Sequence, residues 1–175
     1  MQTLKGEHIY LRALEPEDLS LIYYIENNEN NWEVSQTQAP FSKYVIKQYL
    51  ENAHKDIYEV KQLRLVICSL NNDPLGLIDL FDFDPKNNKI GVGILILEKA
   101  RNQKVAFETL QLTLKYVFQH LKVHQVYANI LEDNVASIKL FKKLNFQMSA
   151  VKKDWIFEDN HYKNELLFQY INYVH

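Results

Sequence analysis

The hydrophobic period of the chain changes after Leu97, and that change restricts the folds open to it. Before it, Leu63 to Leu70, Leu75 to Phe83 and Lys89 to Leu97 are apolar runs of strand composition. The stretches between them, Asn71-Asn72-Asp73-Pro74 and Asp84-Pro85-Lys86-Asn87-Asn88, are turn-formers short enough to join antiparallel neighbours into a meander. After it, Phe107, Leu110, Leu114, Val117, Phe118 and Leu121 recur on one face of a helix about four turns long. A meander therefore feeds a long helix through the segment Glu98 to Lys104.

The flanking regions extend this pattern. Ile9, Leu11 and Ala13 alternate with polar neighbours as a first strand does. Pro16 suits a first helical turn, and Leu19, Ile22, Tyr23 and Glu26 continue at helical spacing. Ser42 is a good N-cap for a helix running to about Asn52. Beyond the long helix, Gln125 to Leu131 reads as a strand. Asn134 then caps a helix with core face Ile138, Phe141 and Leu144, ended by Asn145 in the left-handed position that Asn tolerates. Two closing strands, Gln147 to Phe157 and Tyr162 to Asn172, flank a turn at residues 158–161. The predicted fold is α+β, a mixed and mostly antiparallel central sheet flanked by helices. No repeat or linker divides the chain, so residues 1–175 are expected to form a single domain.

Composition excludes several function classes. No run approaches the roughly 20 apolar residues of a membrane span, and the N-terminus lacks a secretory h-region, so a cytoplasmic protein without a membrane partner is expected. One Cys and six scattered His give no disulfide and no metal pattern. A net charge of −2 argues against nucleic acid as a partner. That total conceals segregation: six acids and no Lys or Arg lie between Ala13 and Ser42, while ten Lys and Arg face three acids between Lys99 and Lys153. One part of the chain suits a cation and another an anion.

The junction from Ile90 to Leu97 into the long helix aims unpaired backbone N–H groups and a helix dipole at one point, which makes an anion site, with Arg101 and Lys104 beside it. It is neither a GxxxxGK[ST] phosphate loop nor a GxGxxG turn.

Two motifs, together with the order of elements, resemble the GNAT superfamily of N-acetyltransferases. Arg101-Asn102-Gln103-Lys104-Val105-Ala106 is similar to the superfamily's [QR]-x-x-G-x-[GA] loop, with Lys104 in place of the central Gly. Asn134-Val135-Ala136-Ser137-Ile138-Lys139-Leu140-Phe141-Lys142-Lys143-Leu144-Asn145-Phe146 is similar to N-x-x-S-x-x-[LV]-[YF]-x-x-x-G-F, with Asn145 in place of Gly. A closing hairpin carrying Trp155 and Tyr162 resembles the branch of ribosomal-protein and spermidine acetyltransferases. The resemblance implies an acetyl-CoA-dependent transfer to a primary amine, a polyamine-like molecule or a protein N-terminus, in a ternary complex; it leaves a homodimer open. By it, the backbone of Leu95, Ile96 and Leu97 pairs with the pantetheine arm and the N–H groups of Asn102, Gln103, Lys104, Val105 and Ala106 hold the pyrophosphate. Asn134 and Ser137 lie near the pantetheine, unless Asn134 is only an N-cap and Ser137 only a first-turn residue. Lys139, Lys142 or Lys143 would meet the ribose phosphate or simply face water.

An amine ionises near pKa 10.4 and a thiol near 8.5, so deprotonating the acceptor is the harder demand and a general base matters more than an acid. Where spermidine acetyltransferases carry Glu this chain has Gly91, and where many relatives carry a Tyr acid beside the CoA sulfur it has Phe141. Water-relayed proton transfer with Tyr127, Asp82 or Glu33 is the resulting expectation. The amine pocket is expected to draw on Trp32, Glu33, Phe41, Asp79 and Asp82, the aromatics facing a cation or else stapling helices. A CoA-binding or interaction domain with weakened catalysis is the alternative.

Overall fold

The computed structural model describes the backbone of residues 2–35, 37–158 and 160–173, and every side chain among them except those of Gln2, Glu33 and Val34. In chain order the elements are β1 (Ile9–Ala13), α1 (Leu19–Glu26), α2 (Trp32–Ser35), α3 (Lys43–Glu51), α4 (Ile57–Val60), β2 (Leu63–Ser69), β3 (Pro74–Asp84), β4 (Lys89–Ile96), α5 (Val105–Gln119), β5 (Gln125–Leu131), α6 (Val135–Lys143), β6 (Gln147–Glu158) and β7 (His161–Ile171). Short 3-10 turns lie at Gln2–Leu4, Pro16–Asp18, Glu29–Asn31 and Glu98–Ala100. The α+β expectation holds. The elements it lacked, α2, α4 and the 3-10 turns other than the one at Pro16–Asp18, are too short to carry a periodic signal.

The chain forms two compact units, one of Met1–Ala13 with Ile57–His175 and one of Leu14–Asp56. The first contains a seven-stranded sheet in the order β1-β2-β3-β4-β5-β7-β6. All neighbours are antiparallel except β4 and β5. Directly opposed residues share a face. Ile9 and Leu11, Leu65 and Ile67, Ile78 and Leu80, Ile90 and Val92, Val126, Ala128 and Ile130, and Phe168 are all buried in one core with Leu110 and Val117 of α5 and Phe141 of α6. That face is filled by helices; the other carries Arg64, Asp79, Phe81, Tyr127 and Asn129.

The helix ends follow the sequence. Asn145 is left-handed at φ 66°, and Phe146 and Asn145 donate their N–H groups to the carbonyls of Phe141 and Lys142 at 3.1 and 3.0 Å, a Schellman closure. In the second unit, Ser42 Oγ accepts from the Val45 N–H at 3.2 Å, and Ile22, Ile25 and Ile46 are buried.

One feature of α5 works against stability. Thr109 is fully buried and, among the described residues, its Oγ1 has no hydrogen-bond partner. An unsatisfied buried hydroxyl costs about 1–3 kcal/mol, and Val has the same shape without it. Thr109→Val is expected to raise the urea midpoint, corresponding to a gain of about 1 kcal/mol; a lower midpoint would mean that Thr109 has a partner.

Candidate active site

The site is built from a defect in the sheet. β4 and β5 pair only at Lys89↔Gln125, Ile90↔Val126 and Gly91↔Tyr127, then part. The Leu97 N–H bonds the Leu75 carbonyl at 2.8 Å, so in an alternating antiparallel ladder the odd-numbered residues of β4 face β3. Val92, Ile94 and Ile96 therefore turn their backbone groups to the open edge. On β5 the Asn172 N–H bonds the His124 carbonyl at 2.8 Å, which by the same alternation leaves Asn129 facing the gap. Of Leu95, Ile96 and Leu97, which the resemblance assigns to the pantetheine arm, Ile96 turns its peptide groups to the opening, its carbonyl accepting from Arg101, and Ile94 and Val92 join it.

Below the open edge lies the loop into α5. Asn102 and Lys104 both have φ 61°, a left-handed conformation that costs an ordinary L-residue about 1–2 kcal/mol. Lys104 adopts it as the N-cap of α5 and supplies no side-chain cap. The motif's Gly position thus keeps its backbone geometry with Lys installed. Gln103 Nε2 donates to the Lys99 carbonyl at 2.9 Å and Arg101 Nε to the Ile96 carbonyl at 3.3 Å, so both side chains brace the loop. The N–H groups of residues 102–107, Val105 and Ala106 among them, find no acceptor among the described residues. A helix of 15 residues with an uncapped, exposed start is a ready anion site.

At the vertex, where β4 and β5 part, β3 carries a bulge between Phe81 and Asp84, with Asp82 left-handed at φ 49°. The bulge aims the Asp82 carboxylate toward β5, and Tyr127 Oη donates to Asp82 Oδ2 at 3.1 Å. Burial, and then the hydrogen bond to Asp82 and its charge, push the Tyr127 phenol well above the usual range. Tyr127 is accordingly a hydrogen-bond donor at working pH and not a phenolate base. The Phe81 ring meets Tyr127 edge to face, with centroids 5.7 Å apart at 87°. It also covers Gly91: a Cβ there would come within 2.7 Å of three ring carbons. A side chain at position 91 and the Phe81 ring would compete for the same space.

Asp79, expected to be an acid of the amine pocket, is held by Arg64, whose Nε and Nη2 donate to its two oxygens at 2.6 and 3.0 Å. Such a bidentate pair compensates its charge. Asp82 has no Lys or Arg partner among the described residues.

The remaining candidates have structural partners. Asn134 Oδ1 accepts from the Ser137 N–H at 3.1 Å, so Asn134 is the N-cap of α6 and Ser137 its third residue. Phe141 is 3% exposed and stacks edge to face on Phe146 at 4.9 Å. With so little ring surface accessible, it packs the core against Phe146. Lys143 lies over the Phe107 ring at 4.7 Å. In the second unit, Trp32 Nε1 donates to the Glu26 carbonyl at 2.8 Å, and Asn27 bonds both the N–H and the carbonyl of Phe41 at 2.8 and 3.0 Å. The Glu33 backbone belongs to α2, and its side chain lies outside the described residues. Sequence reasoning missed Phe81, Arg64 and Gly93. The legible clue was that two of the chain's four glycines stand two apart on one strand. Among the described residues no group of His, Cys, Asp and Glu converges as a metal site, and no helix is long and apolar enough to cross a membrane.

The chain is 26% identical over 163 residues to an uncharacterized N-acetyltransferase derived from the SPbeta prophage of Bacillus subtilis, covering 93% of this chain and 89% of that protein. It is 22% identical over 161 residues to the spermidine N(1)-acetyltransferase of Escherichia coli K12, covering 90% and 83%. The fold superposes on the crystal structure of spermidine N-acetyltransferase from Vibrio cholerae in complex with CoA and spermine with a TM-score of 0.83 at 21% identity, covering 93% and 95%. Residues 8–147 match the acetyltransferase (GNAT) domain, and the chain belongs to the GNAT family of acetyltransferases.

Proposed function

We propose that this acetyl-CoA-dependent N-acetyltransferase acts on a cationic, polyamine-like primary amine, with Asp82 receiving the acceptor. The observation that carries the reading is the exposed Asp82 carboxylate, free of a cationic partner among the described residues, at the vertex of the split strands. Relatives named for spermidine support the same substrate class.

The residues present fit the donor. Val92 and Ile94 offer a strand edge unpaired by β5 for an extended amide-bearing arm, Ile96 adding its N–H while its carbonyl accepts from Arg101, and the start of α5 offers unpartnered N–H groups with Lys104 for a diphosphate. Bound acetyl-CoA supplies an acetyl group activated as a thioester. Everything else falls to the chain: to orient the amine, to hold its positive charge until the proton leaves, and to pass that proton to water. Tyr127 fixes one oxygen of Asp82, so the other is presented in a set direction to the ammonium or to a relaying water. Positioning is then the main catalytic contribution.

The test is a panel of amines and peptides with free α-amines, assayed by release of the CoA thiol. Spermidine or a diamine is expected to turn over best, with KM rising with added salt because an exposed carboxylate is screened. Equal turnover of neutral amines with no salt dependence removes Asp82 as the acceptor's partner.

A further inference from the structure

Directly opposed residues place Phe81, Gly91 and Tyr127 in one row across β3, β4 and β5, and Asp79 and Gly93 in the next, all on the face away from α5. The two glycines leave the β4 column without side chains, so the row becomes a trough with the β4 backbone as its floor. Phe81 leans across the trough at Gly91 and meets Tyr127 there, closing that end. At Gly93 the space stays open: a Cβ added there would meet a single atom within 4 Å, Phe81 Cε1 at 3.8 Å. Neither glycine has a positive φ, so neither is required by the backbone. The Phe81 ring accounts for the absent side chain at Gly91, while at Gly93 neither the backbone nor a neighbouring protein group requires its absence.

We propose that the space over Gly93, ended by the Phe81 ring, is an acceptor slot that admits an unbranched alkyl amine and excludes an amine borne on a branched carbon. This rests on the amine-acetylating reading above and narrows its substrate. A methylene chain is thin enough to lie on bare backbone beside the ring. The α-carbon of a peptide N-terminus carries a side chain and a carbonyl, which the closed end leaves no room for. Asp82 follows Phe81 directly in the chain and brings a carboxylate to the same end, matching an ammonium group.

Two variants separate the slot from general packing. Gly93→Ala meets only ordinary van der Waals contact and no backbone strain, so it is expected to melt as the parent does. In the slot its methyl displaces a methylene, and kcat/KM for spermidine is expected to fall by about 10-fold or more, through KM, since one methyl in a fitted pocket is worth that order. Acetyl-CoA affinity, read separately by calorimetry, is expected to hold. Phe81→Ala opens the closed end and is expected to raise the kcat/KM ratio of an α-branched amine or peptide α-amine to spermidine by about 10-fold or more.

Unchanged spermidine kinetics in Gly93→Ala would overturn the slot, as would a Phe81→Ala enzyme in which both acceptors fall equally. Should Phe81→Ala fail to fold, Phe81→Leu, which keeps an apolar seat, is expected to shift the same ratio in the same direction, and an unshifted ratio would overturn the slot. A parent enzyme that acetylates no amine refutes the polyamine reading itself, and the slot with it. A parent that acetylates amines while the ratio stays fixed refutes only the slot.

Discussion

Asp82→Asn is expected to lower kcat/KM for a polyamine by about 10²-fold or more while leaving the fold and acetyl-CoA affinity intact. Asp82 sits at φ 49° in the β3 bulge, where most residues are strained, but Asn tolerates the left-handed region as well as Asp does. Its amide oxygen can still accept from Tyr127. The substitution therefore removes charge and proton-directing ability with little change in backbone or contacts, and a general base or its equivalent typically contributes about 10²–10⁴-fold. Asp82→Ala, by contrast, adds backbone strain and vacates the Tyr127 hydrogen bond. Tyr127→Phe frees the carboxylate to turn without removing its charge, so its loss in kcat is expected to be smaller than that of Asp82→Asn. Measuring kcat and KM for the three variants on spermidine, with melting temperatures alongside, checks the order. An Asp82→Asn enzyme with parental kinetics would move the acceptor away from this bulge.

The architecture was legible because it depends on periodicity. The meander, the helix after Leu97 and the Asn145 cap each follow from a repeat or a conformational preference carried by local residues. The site was legible in its parts but not in its pairings. Asp79 and Asp82 look equivalent in sequence, two acids three residues apart. A register placing Arg64 opposite Asp79 compensates one, while the bulge turns the other to Tyr127. Bulges and registers are long-range outcomes with no local code. Phe141 is a related case: its helical spacing placed it on the core face, where it is 3% exposed, while the cofactor role came from the resemblance and not from any local signal. Gly91 is explained only once Phe81 is seen to fill the volume its side chain would need.

Lys104 brings the same logic to the donor. It occupies a left-handed N-cap at φ 61° where the family motif has Gly, so the chain accepts strain of about 1–2 kcal/mol there. The gain proposed to compensate it is a positive charge held against the diphosphate. Lys104→Ala keeps the strain and loses the charge, Lys104→Gly loses both, and Lys104→Glu keeps the strain and reverses the charge. Acetyl-CoA affinity is therefore expected in the order parent, then Lys104→Gly and Lys104→Ala together, then Lys104→Glu. The last is expected to be about 10- to 100-fold weaker than the parent at low salt, because two unit charges about 4 Å apart near a protein surface interact by up to about 4 kcal/mol before screening. Stability is expected in a different order, with Lys104→Gly at or above the parent and Lys104→Ala no better than it. Calorimetric titration with acetyl-CoA at two salt concentrations, combined with urea unfolding, separates the two. If Lys104→Glu binds as the parent does at low salt, the charge lies outside the diphosphate site and the N–H groups of residues 102–107 hold the anion alone.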